Sequence, residues 1–209
     1  MKIFFMFILS ATTTLFAQYN IPFASTNNAI ELAVSNTSTV TTSNVVVTVS
    51  NAPAWLKFTE KEQKVSKISS HSATTSRFTF SVDKTAPVNK PEQVTFTIAN
   101  ANGEKWTKTL SLQVSPPDKF ELYQNYPNPF NPTTVISYQL PAISNVSLKI
   151  YDALGREVIT LEDGLKEPGY HQNEWNAVNF ASGMYIYQLV MATTDGKEES
   201  YRKKMLLLR

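Results

Sequence analysis

The chain has 209 residues, with 19 Lys and Arg against 17 Asp and Glu, and only 17% of its residues are charged. A net charge of +2 without a long basic stripe excludes an electrostatic case for a nucleic-acid partner. Cysteine is absent and histidine occurs twice, as His71 and His171, which excludes a disulfide framework and a thiolate metal site.

Residues 1–17, "MKIFFMFILSATTTLFA", carry one cation at Lys2, an apolar run from Ile3 to Leu9, a Thr-rich stretch, and Ala17 before Gln18. This pattern predicts a secretory signal peptide. The apolar run is far shorter than the roughly 20 residues a membrane-spanning helix needs. Leu15, three residues before the expected cut, is not the small residue usual there. The mature chain is expected outside the cytoplasmic membrane.

Within an expected domain at 18–117, residues 28–115 read as short strands with alternating faces. The aligned sets are Ile30, Leu32 and Val34; Val45, Val47 and Val49; Phe78, Phe80 and Val82; Val94, Phe96 and Ile98; and Leu110, Leu112 and Val114, with Trp106 in the same phase. A period of two with threonine on the opposite face predicts half-buried antiparallel strands. Asn102-Gly103 predicts a tight hairpin between the last two strands. The polar segment 59–76 reads as an exposed hairpin or loop. The expected fold is an Ig-like antiparallel β-sandwich, followed by a stiff linker, "VSPPDKF".

Over 118–209 the all-β pattern restarts. It opens on "FELYQNYPNPFNPTTVISYQLP". Pro127, Pro129 and Pro132 fix φ and lack an N–H. Tyr126, Asn128 and Asn131 before them are biased toward extended backbone. The expected result is a rigid lead-in outside the sheet interior, with Tyr126 and Phe130 packing down as plugs. The alternative reading is an ordinary linker with a capped first strand. Strands then follow in "TTVISYQL", "NVSLKIYD", "REVITL", "ASGMYIYQLVM" and "YRKKMLLLR", with turns at Gly155 and around Asp195-Gly196.

The blocks "FELYQNYPNPFNPTTVISYQLP", "VSLKIYDALGREVITL", "GYHQNEWNA", "ASGMYIYQLV" and the terminal "KKMLLLR" together resemble the type A C-terminal sorting domain of the type IX secretion system, over about residues 119–209. The resemblance implies a small Ig-like β-sandwich. It also implies export in two steps: a signal peptide crosses the inner membrane, then the folded domain directs passage across the outer membrane. The partners it implies are the type IX translocon and a sortase-like peptidase, often with lipopolysaccharide attachment at the cell surface. The matching positions are Asn125, Tyr126, Pro127, Asn128, Pro129, Phe130, Asn131, Pro132, Asp152, Gly155, Arg156, Trp175, Gly183, Tyr185, Lys203 and Lys204. Gly155 and Gly183 are expected to be backbone necessities. The basic terminal strand reads either as a recognised surface or as a charge-protected sheet edge. Removal of the domain is expected near the exposed Pro116–Phe120 linker.

The cargo, 18–117, supports three readings. One is a binding or structural surface module with a glycan or protein ligand. Trp55 and Trp106 could stack on a sugar, although a sandwich Trp is more often core. The second is a small secreted hydrolase or glycan-acting accessory protein. His71 stands in a polar loop beside Ser70 and Ser72, poor geometry for a triad, and Glu60, Glu62, Asp83 and Glu92 lack metal or acid/base spacing. The third is an accessory spacer in a larger complex. The sequence favours the first, with no catalytic residue, cofactor or metal. His171 has no second ligand at a recognisable spacing. The triplets at Asn36 and Asn145 match a glycosylation pattern that arises readily by chance.

Overall fold

The structure, a computed structural model, describes residues 2–7, 18–194 and 196–208. Met1, residues 8–17 with the expected cut at Ala17, Asp195 and Arg209 lie outside the described residues. The chain is all-β, with no helix among the described residues. It divides into two compact units, Met1–Ser115 and Pro116–Arg209.

The N-terminal unit contains β1 (Lys2–Phe7), β2 (Gln18–Ile21), β3 (Asn28–Asn36), β4 (Thr42–Asn51), β5 (Leu56–Phe58), β6 (Glu62–Ile68), β7 (Ser72–Val82), β8 (Pro91–Ala99) and β9 (Lys105–Val114). Two sheets form, in the orders β1-β3-β7-β5 and β2-β9-β8-β4-β6. All five predicted inward faces are buried and meet in one core. Phe78 and Phe96 pack across the sandwich with ring centroids 5.2 Å apart. Burying each such side chain contributes about 1.5–3 kcal/mol.

Three details differ from the sequence reading. Segment 59–76 is neither a loop nor a hairpin: it holds β6, which pairs with β4 at the edge of the larger sheet. Its apolar face is thin because one side of an edge strand meets solvent, and Lys64 and Lys67 sit there. The chain then crosses to the other sheet through an exposed turn at His71, whose φ is 51°. Trp55 is core, but Trp106 is only half-buried. Finally, two strand pairs are parallel rather than antiparallel, β2 with β9 and β1 with β3.

The C-terminal unit contains β10 (Glu121–Leu122), β11 (Thr133–Leu140), β12 (Ser144–Asp152), β13 (Glu157–Lys166), β14 (Gly169–Asn176), β15 (Gly183–Thr193) and β16 (Glu198–Leu207). They form sheets β10-β11-β14 and β13-β12-β15-β16. The core between them holds Ile136, Tyr138, Leu148, Trp175, Tyr187 and Leu189, all fully buried. Strand β16 ends its sheet, so its outer backbone edge needs a cover, and the proline-rich lead-in lies against it.

Candidate functional site

The lead-in from Gln124 to Pro132 is held from both sides. On one side, Tyr126 exchanges both backbone hydrogen bonds with Val135 of β11, each 2.9 Å. On the other, the Phe130 N–H donates to the Leu206 carbonyl and the Leu208 N–H donates to the Phe130 carbonyl, each 3.0 Å. This is a one-residue parallel bridge between Phe130 and Leu207. Side chains extend it. Asn128 Oδ1 accepts from the Leu206 N–H at 3.0 Å, and Gln124 Nε2 donates to the Lys204 carbonyl at 2.8 Å. The lead-in therefore covers the C-terminal part of the free edge of β16, from Lys204 to Leu208. The X-Pro bonds at Pro127, Pro129 and Pro132 are all cis.

Asn125 is the buried pin of this arrangement. Its Nδ2 donates to the Pro127 carbonyl (3.0 Å) and to Thr134 Oγ1 (2.9 Å), and Thr134 Oγ1 donates to the same carbonyl (2.8 Å). The Asn125 N–H donates to Tyr187 Oη at 2.9 Å, and that hydroxyl donates to the Tyr123 carbonyl at 2.8 Å. Burial pushes the Tyr187 hydroxyl up to about 12, which keeps it a donor. Phe130 packs on Trp175 at 5.4 Å, and Trp175 meets Tyr185 edge-on at 5.1 Å. Tyr126 corrects the sequence reading: it is 81% exposed and plugs nothing, because only its backbone is engaged. Asn131 is exposed, and Pro132 offers its carbonyl to the Ala177 N–H at 2.9 Å.

Asp152, Gly155 and Arg156 form the turn between β12 and β13. The Gly155 N–H donates to the Asp152 carbonyl and the Asp152 N–H to the Arg156 carbonyl, each 3.0 Å. Asp152 Oδ1 accepts from the Leu154 and Arg156 N–H groups, while Oδ2 meets Arg156 Nε at 2.7 Å. The Arg156 backbone N–H, more than the charge, holds the Asp152 carboxyl below its ordinary value. Gly155 has φ 80° and Gly183 φ 152°, and a Cβ at either would meet nothing within 4 Å. Their role is conformational freedom rather than room for a neighbour. The β8–β9 turn repeats the plan: Gly103 has φ 81°, and Asn100 Oδ1 accepts from the Asn102 and Glu104 N–H groups. The Asp-Ala-Leu-Gly-Arg block is thus a turn device, also found outside the C-terminal unit.

The two terminal lysines do not act as a pair. Strand alternation sends Lys203 toward the half-buried side, with Met205 and Leu207, and Lys204 to solvent. The outward row is Arg202, Lys204, Leu206 and Leu208, with Leu206 40% and Leu208 48% exposed. Leu206 is in register with Met184 of β15, itself 42% exposed. These apolar side chains beside two cations form a patch; Lys204 and the terminal apolar tail were among the matched features, whereas Arg202 and Met184 were not. The alternation in "RKKMLLL" carries the signal for it.

Residues 124–206 match the family described as secretion system C-terminal sorting domain. The C-terminal unit is a type IX sorting domain. No curated protein matches the chain. Similar solved structures include the Pseudomonas aeruginosa CupB2 chaperone, at 13% identity over 89% of this chain and 96% of that one, TM-score 0.31. CopC from Methylosinus trichosporium OB3b is 16% identical over 43% and 93%, TM-score 0.32. Dimeric latent PorU from Porphyromonas gingivalis is 15% identical over 94% of this chain and 19% of that one, TM-score 0.37.

Outside the sorting domain, a cleft of about 320 Å³ opens in the N-terminal unit, lined by Val34, Asn36, Val40, Ile98, Glu104 and Trp106 among others. Most of its amides serve the local loops. Asn36 Nδ2 donates to the Val40, Ile68 and Ser69 carbonyls, and Asn100 Nδ2 to Glu104 Oε2 at 2.5 Å. His171, in the sorting domain, stacks on Tyr138 at 5.2 Å, with Nε2 2.8 Å from the Glu167 carbonyl.

Proposed function

We propose that this is a secreted or cell-surface protein. Its leader is removed at the inner membrane, and its sorting domain is read by the type IX translocon. On this reading a sortase-like peptidase removes the domain near Pro116–Phe120, where Asp118 and Lys119 are exposed although Pro117 and Phe120, against the expectation of an exposed linker, are buried, and the cargo is attached to lipopolysaccharide at the outer membrane. The cargo is a non-catalytic Ig-like module that binds or supports another surface component. One observation carries the proposal: the family match falls on a unit whose lead-in and last strand are locked together, presenting Lys204, Leu206, Leu208 and Met184 outward.

Cell fractionation tests it. Deleting Lys203–Arg209 should trap the protein in the periplasm. That deletion also removes the buried Met205 and Leu207, so the decisive variant is Leu206→Ser with Leu208→Ser. It alters exposed side chains and should leave folding intact while surface display falls. Undiminished display of both variants refutes the sorting surface.

The cleft supports a second reading, in which the cargo holds a small polar ligand such as a sugar, with the half-buried Trp106 as stacking face and Glu104 as acceptor. Saturable glycan retention abolished by Trp106→Ala supports it. Equal retention by the variant removes it.

A further inference from the structure

The cleft in the N-terminal unit lies where the β3–β4 connection meets the β8–β9 turn. The two are joined at one side. The Ala101 N–H donates to the Ser43 carbonyl at 3.4 Å, and Asn100 Nδ2 reaches Thr42 Oγ1 at 3.5 Å. The floor is apolar, made of Val34, Val45, Ile68 and Ile98, each 3% exposed. Trp106 adds a half-buried ring. The Asn36 amide is consumed by its own loop: Nδ2 serves three carbonyls, and Oδ1 accepts from the Ser38 N–H and hydroxyl.

What remains is a charge. Among the described residues that line the cleft, Glu104 is the one charged side chain, and no lysine, arginine or histidine joins it. Asn100 Nδ2 donates to its Oε2, while Oε1 has no partner among the described residues. The turn does not need this carboxylate. The Asn100 N–H donates to the Glu104 carbonyl at 3.2 Å and the Gly103 N–H to the Asn100 carbonyl at 3.1 Å, and Asn100 Oδ1 takes the Asn102 and Glu104 N–H groups. In the matching turn of the sorting domain the same position is Arg156, whose charge meets Asp152 at 2.7 Å. Glu104 meets an amide instead, so its charge is left for a ligand.

We infer that the cleft takes an aminated sugar, its ammonium against Glu104 and its ring on Trp106. The inference rests on the reading of the cleft as a sugar site and adds the charge of the sugar. Glu104 and Trp106 stand two residues apart and line the same cleft. Two residues of extended chain span about 6.5–7 Å, which lets one sugar unit meet both. An ammonium there gains from the carboxylate and from the negative face of the indole together. A neutral or N-acetylated sugar meets Glu104 through a hydrogen bond alone. A metal ion is a poorer occupant, since calcium or magnesium wants about six or more oxygens and the cleft offers a single carboxylate.

Isothermal titration of the full chain tests this with short oligomers of glucosamine, N-acetylglucosamine and glucose, at a pH where the amine is protonated. The glucosamine oligomer should bind about tenfold tighter than the other two, a preference of about 1.4 kcal/mol. Glu104→Gln alters an exposed position and keeps an acceptor for Asn100. It should leave Tm unchanged and remove the preference. Equal affinity for the three oligomers, or a preference that survives in Glu104→Gln, would overturn the inference. So would a lysine-containing peptide that binds as tightly as the glucosamine oligomer, which would make the ligand a protein. Equal, saturable binding of all three sugars, abolished by Trp106→Ala, sinks the charge and keeps the sugar reading; no sugar binding at all sinks both.

Discussion

Replacing Asn125 by alanine should cost the sorting domain about 2 kcal/mol, because it is the side chain that ties the lead-in to β11. The substitution removes two hydrogen bonds, to the Pro127 carbonyl and to Thr134 Oγ1, at a site only 2% exposed. A buried neutral hydrogen bond is worth about 0.5–1.5 kcal/mol net, and Thr134 also loses its donor partner in a place water does not reach. The third contact, from Gln124 Nε2 to Asn125 Oδ1 at 2.7 Å, adds little, since that amide also bonds the Lys204 carbonyl. For a domain of this size, about 2 kcal/mol lowers Tm by roughly 8–16 °C. The assay is thermal and urea unfolding of Pro116–Arg209, followed by the fluorescence of Trp175, its only tryptophan. Thr134→Val supplies a double-mutant cycle. It breaks the same contact from the other end, so the double variant should cost about 1 kcal/mol less than the sum of the singles. Two fully additive singles, or an Asn125→Ala domain within about 1 °C of the parent, would show that the network does not hold the lead-in.

Gly155→Ala should destabilise the domain by about 1 kcal/mol through backbone strain alone, since φ is 80° and the added methyl meets nothing; a neutral result would refute the turn argument. Gly103→Ala in the matching turn of the N-terminal unit, with φ 81°, should cost that unit a similar amount in calorimetry. Acid should weaken the sorting domain through its bonded carboxylates. Asp152 is held low by the Arg156 N–H, Glu157 by a hydrogen bond from Lys149, and Glu162 by one from Lys166. A depressed folded value means stability fully present above the unfolded value and lost as pH falls through the folded one. Tm should therefore hold from pH 7 to about 4.5 and drop below about pH 4. Asp152→Asn should shrink that drop, and a Tm that rises on acidification would contradict the sign.

The sequence was most legible where strands are covered on one face only. Ile30, Leu32 and Val34, or Val94, Phe96 and Ile98, alternate with threonines and are buried as a period of two requires. Legibility failed where one face is not decided by hydrophobicity. Strand β6 lies at an edge, so its few apolar positions did not announce a strand. Tyr126 looked like a plug by residue type, but the chain uses its backbone and leaves its ring in solvent. Lys203 and Lys204 looked like a pair because they adjoin in sequence, whereas a pleated strand parts neighbours to opposite faces. The sorting motif itself was readable as a set of blocks, but not as a contact map. The bond from Leu206 to Asn128 joins residues 78 apart, and backbone groups carry no residue signature across such a distance.

The sorting domain meets the problem of an open sheet edge with its own chain. In the sorting domain, the strand with the exposed apolar patch has its backbone edge closed over Lys204–Leu208 by Gln124–Phe130 of the same unit. Along that stretch its side chains face outward while its backbone is engaged, and on the proposed function recognition falls to Lys204, Leu206 and Leu208. Prolines suit that cover: a segment whose N–H groups are partly missing can close one edge without offering a new one.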